Sequence, residues 1–512
     1  MMTLRSPLTP LALLGALALG ACTDAPVAPT PDASAARAAA AGGAAARHLV
    51  TFRSSGGVPS GFAEEVGRLG GTVEGTMPEV GAAVVAGLSG QGLAALARVG
   101  GVQDVIADEA IPMETRRLAL DDAATTLALD VASPVRPDLA GLFPLQWNMQ
   151  AIDAPTAWQA GRLGSSSVTV AILDTGIDEA TPSGARSNID LQGRVDRQRS
   201  RSFMPVEDTV VQRLFPGVAT YTDLDGHGTN VASQVASNGF NFAGVSSQTR
   251  LMAVKVCTIL PPAPTAANPN PQPGYCSTAS VFAGLYYAVD NGADVINMSL
   301  GGGFPKSQAP GAASAFARLM NYAKSRGVTV VVAAGNSAHD LDHDGDWYNT
   351  YCSAPNAICV AATGPTSAGP LDAGPFLPSV DAPAIYSEYG RSAINVAAPG
   401  GNYAVGSVGG QPAIVSAAYV WSLCPRLTAA AYNPATKRAQ ALGPCGVWGF
   451  IGTSQASPHV AGLAAMLVPT LGRNPGAIRA AIQGSADDLG APGTDPHYGK
   501  GRINVARALG VE

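Results

Sequence analysis

The chain has 512 residues, of which 46% are hydrophobic and 13% are charged, and its formal net charge is −6 at pH 7. This charge balance offers no basic face, which excludes nucleic acid as an expected partner. The 60 glycines and 39 prolines stay below the share of roughly 25–30% that is typical of a wholly disordered chain. The length predicts one large hydrophobic core and a second, smaller one.

An export signal is expected in residues 1–22. Arg5 precedes an apolar stretch, residues 11–19, that is too short to span a bilayer and has the form of a signal peptide. Residues 19–22 resemble the bacterial lipobox, which implies cleavage before Cys22 and lipidation of its thiol. The alternative is a chance cysteine near an ordinary cleavage site. Because several acyl chains hold a protein firmly on a membrane, the expected location is the cell envelope or the exterior, with a lipid anchor before processing.

A small α+β domain is predicted in residues 47–113, after an Ala/Pro-rich stretch, 23–46, that has the composition of a flexible tether. Apolar patterns predict strands at 48–52, 80–86 and 102–107 and helices at 62–69 and 93–98. The order approaches β-α-β-β-α-β, the ferredoxin-like arrangement, with one strand indistinct. Residues 114–140 lack clear periodicity and are interpreted as a linker.

The remainder, residues 141–512, has the pattern of a large α/β domain. Strand-like runs occupy 168–173, 251–256, 293–298, 328–333, 358–362 and 394–398, and helix-like runs occupy 279–290, 313–326, 456–468 and 476–483. Their alternation predicts a parallel sheet with helices on both faces. The proline-rich insert 258–275 is expected to be a surface loop.

Three side chains of complementary chemistry stand beside apolar runs or glycines of the large domain. Asp174 follows a buried-strand run, and the carboxyl end of a parallel strand faces the crevice where α/β proteins keep their sites. His227 lies between two glycines, and Ser454 lies where a glycine-rich loop gives way to an apolar helix, whose N-terminus suits a forming oxyanion. Alone, each has a structural explanation, such as a serine N-cap. Together they supply a nucleophile, a base and an orienting acid.

The chain order Asp174, His227, Ser454 is the one found in subtilisin. Over roughly residues 141–512 the chain resembles the subtilisin-like serine proteases (subtilases, peptidase S8) in four motifs: Asp174-Thr175-Gly176, His227-Gly228-Thr229, Ala334-Gly335-Asn336 and Gly452-Thr453-Ser454. Two positions depart from the family pattern. Asn230 stands where the family usually has a second histidine, and Gln455 where it usually has methionine.

The resemblance implies a secreted serine endopeptidase that needs no cofactor for its chemistry and acts on proteins and peptides. Ser454 would attack the scissile carbonyl, His227 would serve as general base and then acid, and Asp174 would orient and stabilise the imidazole. Asn336 would donate to the oxyanion together with the backbone N–H of Ser454. The alternative for Asn336 is a turn asparagine, since Gly-Asn pairs mark turns.

Substrate binding is assigned by the same resemblance to one segment after the run 293–298. Ser299, Leu300, Gly301 and Gly302 would accept the peptide as an added strand through main-chain hydrogen bonds. Small residues at 301–303 and 333–335 imply an open S1 pocket without a fixed charge, and therefore an apolar or broad P1 preference. The loop 303–312 can narrow that pocket.

For residues 47–113 the resemblance is to the inhibitor I9-type propeptide of subtilases. It implies a folding chaperone and intramolecular inhibitor that the enzyme's own active site cuts off. The tail after residues 107–109 would run toward the S side of the cleft, with the processing site in 114–140. The alternative is an unrelated accessory domain.

Cysteine usage supports export. Apart from Cys22 there are six, whose spacing does not match a zinc site: Cys257, Cys276, Cys352, Cys359, Cys424 and Cys445. Six cysteines allow 15 pairings. Pairing of neighbours is the simplest hypothesis, because each pair closes a proline- or glycine-bearing insert, and such cross-links fit an oxidising compartment.

One acidic loop, residues 340–346, follows the first half of a calcium-loop pattern, D-x-D-x-D-G. Tyr351 stands where the bidentate glutamate of the full pattern is expected. Structural calcium and a solvated acidic loop therefore both remain open, and no metal ligand is assigned.

Two other functions compete with proteolysis. A catalytically inactive subtilase-like scaffold would keep the fold but lose a catalytic residue. This chain retains all four residues that the resemblance implies: Asp174, His227, Asn336 and Ser454. A serine esterase usually shows G-x-S-x-G and the order Ser, acid, His, and both are absent from the sequence.

Overall fold

The computed structural model describes residues 46–53, 57–113, 116–119, 136–179, 188–260, 274–307, 310–349, 351–370, 377, 379–408, 411–415, 418–423, 425, 432–433, 438–439 and 447–512. The predicted signal peptide with Cys22, the tether up to residue 45, and the cysteines Cys424 and Cys445 lie outside the described residues. Within these ranges, no helix combines the length and the apolar character needed to cross a bilayer.

The N-terminal domain is a four-stranded antiparallel sheet with two helices on one face. Its elements are β1 Arg47–Phe52, α1 Phe62–Arg68, β2 Thr72–Met77, β3 Ala82–Ala86, α2 Gly90–Leu96 and β4 Val102–Ala107. The strand order is β2-β3-β1-β4, which is the ferredoxin-like arrangement. Because side chains alternate along β1, Val50 and Phe52 pack with Phe62 of α1, whereas Leu49 joins the core of the large domain.

The next elements lead from this domain through the first half of the large domain. They are β5 Ala110–Pro112, β6 Arg116–Ala119, α3 Trp147–Ala151, α4 Ala154–Gln159, β7 Thr169–Asp174, β8 Arg201–Ser202, α5 Pro205–Leu214, α6 His227–Ala236, β9 Arg250–Lys255, β10 Cys257–Thr258, β11 Tyr275–Ser277, α7 Thr278–Asp290 and β12 Val295–Met298. Single 3₁₀ turns lie at Pro78–Val80, Pro137–Leu139, Phe143–Leu145 and Ile189–Leu191.

The second half of the large domain carries the remaining strands and helices. They are β13 Gly303–Pro305, α8 Pro310–Ser325, β14 Thr329–Ala333, β15 Trp347–Asn349, β16 Ala357–Thr363, β17 Ser367–Pro370, β18 Val396–Pro399, β19 Ala404–Val408, β20 Gln411–Val415, β21 Val420–Leu423, β22 Tyr432–Asn433, β23 Arg438–Ala439, β24 Val447–Ile451, α9 Thr453–Leu471, α10 Pro475–Gly484 and α11 Val505–Ala508.

A parallel sheet of seven strands, in the order β18-β16-β14-β12-β7-β9-β8, forms the centre of the large domain. Strand β7 is buried on both faces, as the continuous apolar run predicts. Its Ile172 belongs to the core shared with α6 and α9, whereas Leu173 belongs to the core shared with α7 and α8. The predicted α/β fold, with a parallel sheet between two layers of helices, is therefore confirmed.

Every predicted run of the large domain corresponds to an observed element, and the structure contains further elements that the sequence did not predict. Each of the six predicted strands and four predicted helices of the large domain overlaps an observed element. The stretch 114–140, interpreted as a linker, contains β6, which pairs antiparallel with β24. The ends of the insert 258–275 form parts of β10 and β11, and residues 261–273 lie outside the described residues.

Two disulfides join neighbouring cysteines, Cys257 with Cys276 and Cys352 with Cys359, as the pairing hypothesis predicts. The cysteines of the first pair are 19 positions apart in the chain. A cross-link of that length stabilises mainly by restricting the unfolded chain, by about 3 kcal/mol.

Replacing Cys257 and Cys276 together by serine is therefore expected to lower the free energy of unfolding by about 3 kcal/mol. Urea titration of a proteolytically inactive variant would measure the loss without autolysis. The matched control replaces Cys352 and Cys359, which are only 7 positions apart and should cost less. An unchanged unfolding free energy in the first variant would mean that its cross-link does not form in solution.

Candidate active site

A buried histidine and a buried carboxylate meet at the carboxyl end of the central sheet. Asp174 is the last residue of β7, and His227 is the first residue of α6. Their contact joins His227 Nδ1 and Asp174 Oδ1 at 2.8 Å. Glycine is required directly after the histidine, because a Cβ atom at Gly228 would lie 2.2 Å from the carbonyl oxygen of Gly176. The two predicted motifs are thus packed backbone against backbone.

The start of α6 is fixed by the acidic residues that precede it. Asp223 accepts hydrogen bonds from the backbone N–H of Asp225 and Gly226 through Oδ1, and from Thr229 through Oδ2. Asp225 in turn accepts from the backbone N–H of His227 at 3.1 Å. These bonds satisfy N–H groups at the beginning of the helix that have no partner within it. These hydrogen bonds therefore fix the backbone of the helix turn that carries the imidazole of His227.

Charge around His227 favours its protonated form. Burial by itself lowers the pKa of His227, but the charge of Asp174 and its hydrogen bond raise it, and Asp225 and Asp223 add to the rise. The net direction is a pKa above the ordinary 6.5 of histidine. A histidine with such a pKa is a stronger base when neutral, which suits removal of a proton from a hydroxyl.

Ser454 lies in the first turn of α9 and is half-buried. Its hydroxyl donates to the carbonyl oxygen of Ser299 at 3.2 Å, and the Ser299 hydroxyl donates to the carbonyl oxygen of Ser454 at 2.7 Å. Ser454 and His227 line the same cavity, which has a volume of about 360 Å³. The structure therefore brings the three predicted chemical groups to one site.

Asn336 lies beyond the end of β14 at the same cavity. Its side-chain oxygen accepts hydrogen bonds from the backbone N–H of Thr453 at 2.8 Å and from the Thr453 hydroxyl at 3.0 Å. Because a backbone N–H can only donate, the oxygen of Asn336 must face Thr453, and the NH₂ group is left on the other side. Thr453 thus ties Asn336 to the residue beside Ser454.

The predicted substrate-binding residues also reach the cavity. Ser299, Leu300, Gly301 and Gly302 all line it. Gly302 is in close contact with the N-terminal segment, because a Cβ atom there would lie 2.9 Å from Cγ2 of Ile111. One wall of the site is therefore already covered by the chain's own residues 109–113.

A carboxylate that no sequence motif indicates completes the wall. Glu388 is buried, lines the cavity, and accepts a hydrogen bond from Nδ2 of Asn349 at 2.8 Å. Its carboxylate fills the space where a side chain at Gly335 would be. The prediction of a pocket without a fixed charge did not include this residue, and the P1 preference stays a prediction. The residue is about 50 positions beyond Asn336 in an irregular segment, so its spacing carries no signal.

A second histidine, in the same helix as Ser454, has a structural role. His459 of α9 is fully buried, with Nδ1 2.7 Å from the carbonyl oxygen of Gln455 and Nε2 2.8 Å from Nδ2 of Asn148. Burial lowers the pKa of His459 to about 4, so its ring is neutral at pH 7. It spans two helices of the core and does not line the cavity.

The acidic loop does not gather its carboxylates around one point. Asp342 accepts hydrogen bonds from Ser392, Asp344 pairs with Lys306, and Asp346 accepts from Ser307. In the part of the chain that the structure describes, no group of three or more His, Cys, Asp or Glu side chains is placed to hold a metal ion.

Comparisons with known proteins identify the family of the chain. The model of the subtilase family matches residues 165–501. Thermitase of Thermoactinomyces vulgaris is 29% identical over 367 residues, which are 71% of this chain and 95% of that protein. Subtilisin Savinase of Lederbergia lenta is 28% identical over 369 residues, which are 71% of this chain and 97% of that protein.

Solved structures with the same fold include a serine protease and a keratinolytic enzyme related to subtilisin. The epidermin leader peptide processing serine protease of Staphylococcus aureus has a TM-score of 0.61 at 19% identity, covering 91% of this chain and 98% of that one. Fervidolysin of Fervidobacterium pennivorans has a TM-score of 0.59 at 21% identity, covering 91% and 61%. The chain belongs to the subtilase family and is a serine-type endopeptidase of the subtilisin-like kind.

Proposed function

We propose that this endopeptidase is exported, uses Asp174, His227 and Ser454 as its catalytic triad, and is made as a self-processing proform. The observation that carries the proposal is the 2.8 Å contact between the buried His227 and Asp174, beside a cavity that Ser454 shares with His227. An imidazole oriented by a carboxylate is the arrangement that turns a serine hydroxyl into a nucleophile.

The reaction proceeds through an acyl-enzyme. When substrate enters, the Ser454 hydroxyl leaves the carbonyl oxygen of Ser299 and turns to Nε2 of His227, which takes its proton as Oγ attacks the scissile carbonyl carbon. Asp174 holds the ring and stabilises the imidazolium. The proton then passes to the leaving amine, the C–N bond breaks, and a water molecule repeats the sequence to release the acid and restore Ser454.

Asn336 is proposed as the side-chain donor to the oxyanion. Thr453 binds the side-chain oxygen of Asn336, so the NH₂ group of Asn336 points away from Thr453 and can donate to the oxyanion. The second donor is the backbone N–H of Ser454, in the first turn of α9, where N–H groups have no helical partner. Both donors are held in place before the reaction, so that they stabilise charge without reorganisation.

Replacing Asn336 by alanine is expected to lower kcat by about 10²–10³-fold with little change in KM, because the lost bond forms only in the transition state. Steady-state kinetics on a peptide amide would measure both constants. Asn321→Ala, a matched amide deletion on the exposed surface of α8, serves as control and should keep both. A loss confined to KM would assign Asn336 to ground-state binding instead.

Substrate is proposed to bind as a strand along Ser299–Gly302, through main-chain hydrogen bonds. We propose that the enzyme has an apolar or broad P1 preference. Glu388 in the cavity wall offers the alternative, because a carboxylate there would favour cationic P1 residues. Profiling wild type and Glu388→Gln on a library that varies only P1 tests this. An unchanged ranking of P1 residues supports a broad pocket, whereas loss of a preference for cationic P1 residues contradicts it.

The N-terminal domain is proposed to act as folding chaperone and intramolecular inhibitor. Three contacts with the large domain support this reading. Asp108 accepts hydrogen bonds from the hydroxyl of Ser277 and the backbone N–H of Ala279 at the start of α7. Arg318 of α8 donates to the carbonyl oxygen of Val80 at 2.9 Å. With β5 beside β11, the domain both covers the helices and occupies the cleft.

Export with a lipid on Cys22 remains part of the proposal. The two disulfides fit an oxidising compartment, where such bonds persist. Labelling cells with a radioactive fatty acid tests the anchor: wild type should carry label that Cys22→Ser lacks. Label retained by Cys22→Ser, or absent from wild type, would contradict lipidation at this residue.

Structural calcium in the loop 340–346 also remains a proposal. Thermal unfolding of the chain in EDTA and in added calcium distinguishes the two readings of the loop. A melting temperature that rises with calcium supports binding, because a ligand that binds only the folded state stabilises it. An unchanged temperature supports a solvated loop.

A fluorophosphonate probe provides the direct test of the proposed mechanism. Such probes react with an activated serine hydroxyl and mark it covalently. Peptide mapping of the labelled, processed enzyme is expected to find the adduct on Ser454. Absence of label on Ser454 in fully processed protein would instead favour the catalytically inactive scaffold.

A further inference from the structure

The antiparallel hairpin formed by β21 and β24 packs against α6, the helix that begins at His227. In the last turn of α6, Nε2 of Gln234 donates to the carbonyl oxygen of Trp421 in β21 at 3.3 Å. At the start of the helix, the ring of Phe450 in β24 contacts the imidazole of His227. The hairpin therefore holds both ends of the helix that carries the proposed base.

The rings of Phe450 and His227 form an edge-to-face pair. Their centroids are 6.1 Å apart, and their planes meet at 79°. This is an arrangement that aromatic rings prefer, because the positive edge of one ring meets the negative face of the other. The hydrogen bond from Nδ1 to Asp174 fixes one atom of the imidazole but leaves the ring free to tilt about that bond. The ring of Phe450, which is only 1% exposed, limits that tilt.

Trp448 extends this wall to the residue before the histidine. Because alternate side chains of a strand lie on one face, Trp448 and Phe450 share a face of β24, and their ring centroids are 6.3 Å apart. Gly226 has a φ of 107°, and a Cβ atom there would lie 2.4 Å from Cζ3 of Trp448. The same strand face therefore contacts both the backbone that enters α6 and the imidazole of His227.

The end of β24 leads directly to the nucleophile. Phe450 stands four positions before Ser454, and the strand ends at Ile451, whose side chain belongs to the core shared with α9. The backbone N–H of Gly452 then donates to the carbonyl oxygen of Gly400 at 3.0 Å. A base and its nucleophile must come within about 2.6–3.2 Å of each other. One firmly packed strand thus contacts the base and fixes the chain that carries the nucleophile.

We infer that Phe450 is a positioning residue for the base, and that its ring keeps Nε2 of His227 directed at the hydroxyl of Ser454. This role rests on the proposed catalytic triad and adds to it a residue that lies outside the four family motifs. A phenyl ring cannot carry a proton, so Phe450 acts through the orientation of His227. Trp448 supports the same orientation from the backbone side.

Phe450→Leu tests this role in the processed enzyme, because leucine keeps the site apolar and filled but removes the planar ring. We expect kcat to fall by about 10–100-fold and KM to stay within about two-fold, since a base misplaced by about 1 Å impairs the chemical step and not substrate binding. Steady-state kinetics on a peptide amide would measure both constants. A rise in KM at unchanged kcat overturns the inference, because Phe450 would then bind substrate.

Phe282→Leu is the matched control for lost packing. Phe282 of α7 is fully buried on the other face of the central sheet and forms an edge-to-face pair with Phe316, with centroids 5.3 Å apart. Both variants should lower the melting temperature, but Phe282→Leu should keep the kcat of wild type. An equal loss of kcat in the two variants overturns the inference, because activity would then follow packing in general.

The rate of fluorophosphonate labelling provides a readout that does not depend on peptide binding. The probe reacts with Ser454 only when His227 can take the hydroxyl proton, so Phe450→Leu should slow labelling by the same factor as kcat. An unchanged labelling rate overturns the positioning role but leaves the triad intact. Failure of the probe to label wild type would instead overturn the proposed triad itself.

A double substitution tests whether Phe450 acts through His227. Asp174→Asn already removes the orientation of the imidazole, so adding Phe450→Leu to it should lower kcat by less than about two-fold further. Residues that act as one unit show such non-additive losses. The full 10–100-fold loss in the Asp174→Asn background would mean that Phe450 acts independently of His227, and it overturns the inference.

Discussion

Ser454→Ala is expected to lower kcat by about 10⁶-fold and to leave the full-length chain uncut. Removing the nucleophile of a serine protease triad costs roughly that factor, because the remaining groups can only stabilise the transition state of direct attack by water. The same substitution removes the group that we propose cuts the proform. Loss of the Ser454 hydroxyl is therefore measured in two independent ways, by the rate of peptide hydrolysis and by the size of the purified chain.

The control for this experiment is another serine whose hydroxyl is exposed. Ser325→Ala, at the end of α8, removes a bond to the carbonyl oxygen of Tyr322 far from the cavity and should be processed and active as wild type. Fluorophosphonate should label the active proteins, wild type and Ser325→Ala. It should not label Ser454→Ala. Full activity in Ser454→Ala would end the assignment of the nucleophile.

Much of the large domain could be predicted because its strands are buried on both faces. A buried parallel strand is a continuous apolar run, and β7, β12 and β14 are such runs. Residues at the carboxyl ends of parallel strands share one edge of the sheet, so Asp174 and Asn336 could be placed together before any coordinates. That His227 joins Asp174 could be predicted only from the family motif, because nothing in the local sequence around His227 indicates which acid it contacts.

Elements without a periodic pattern of apolar residues could not be predicted from the sequence. Strand β2 is largely exposed and contains a register shift between Val73 and Gly75, which removes the alternation that marks a half-buried strand. Strand β6 is held by its backbone pairing with β24, and four residues are too short a run to show a period. Glu388 reaches the cavity from a segment whose fold depends on tertiary packing. Each of these features depends on partners that are distant in the sequence.

Asp174→Asn is expected to lower kcat by about 10⁴-fold and to change how activity depends on pH. An asparagine can present its NH₂ group to Nδ1, which favours the wrong tautomer of His227 for accepting the serine proton. It also removes the negative charge that, with its hydrogen bond, raises the pKa of His227 against the effect of burial. Both changes act through the same 2.8 Å contact.

The pH profile separates these two effects, because only neutral His227 can act as base. In wild type the acid limb of kcat/KM should have its midpoint above the ordinary histidine pKa of 6.5, since the pKa of His227 is raised. In Asp174→Asn the residual activity should persist to lower pH, because burial is then less opposed. Asp290→Asn, a surface carboxylate at the end of α7, controls for net charge and should leave the limb in place. An acid limb that does not move in Asp174→Asn would show that this carboxylate does not set the protonation of His227, and a role for Asp174 as the partner of the base would have to be abandoned.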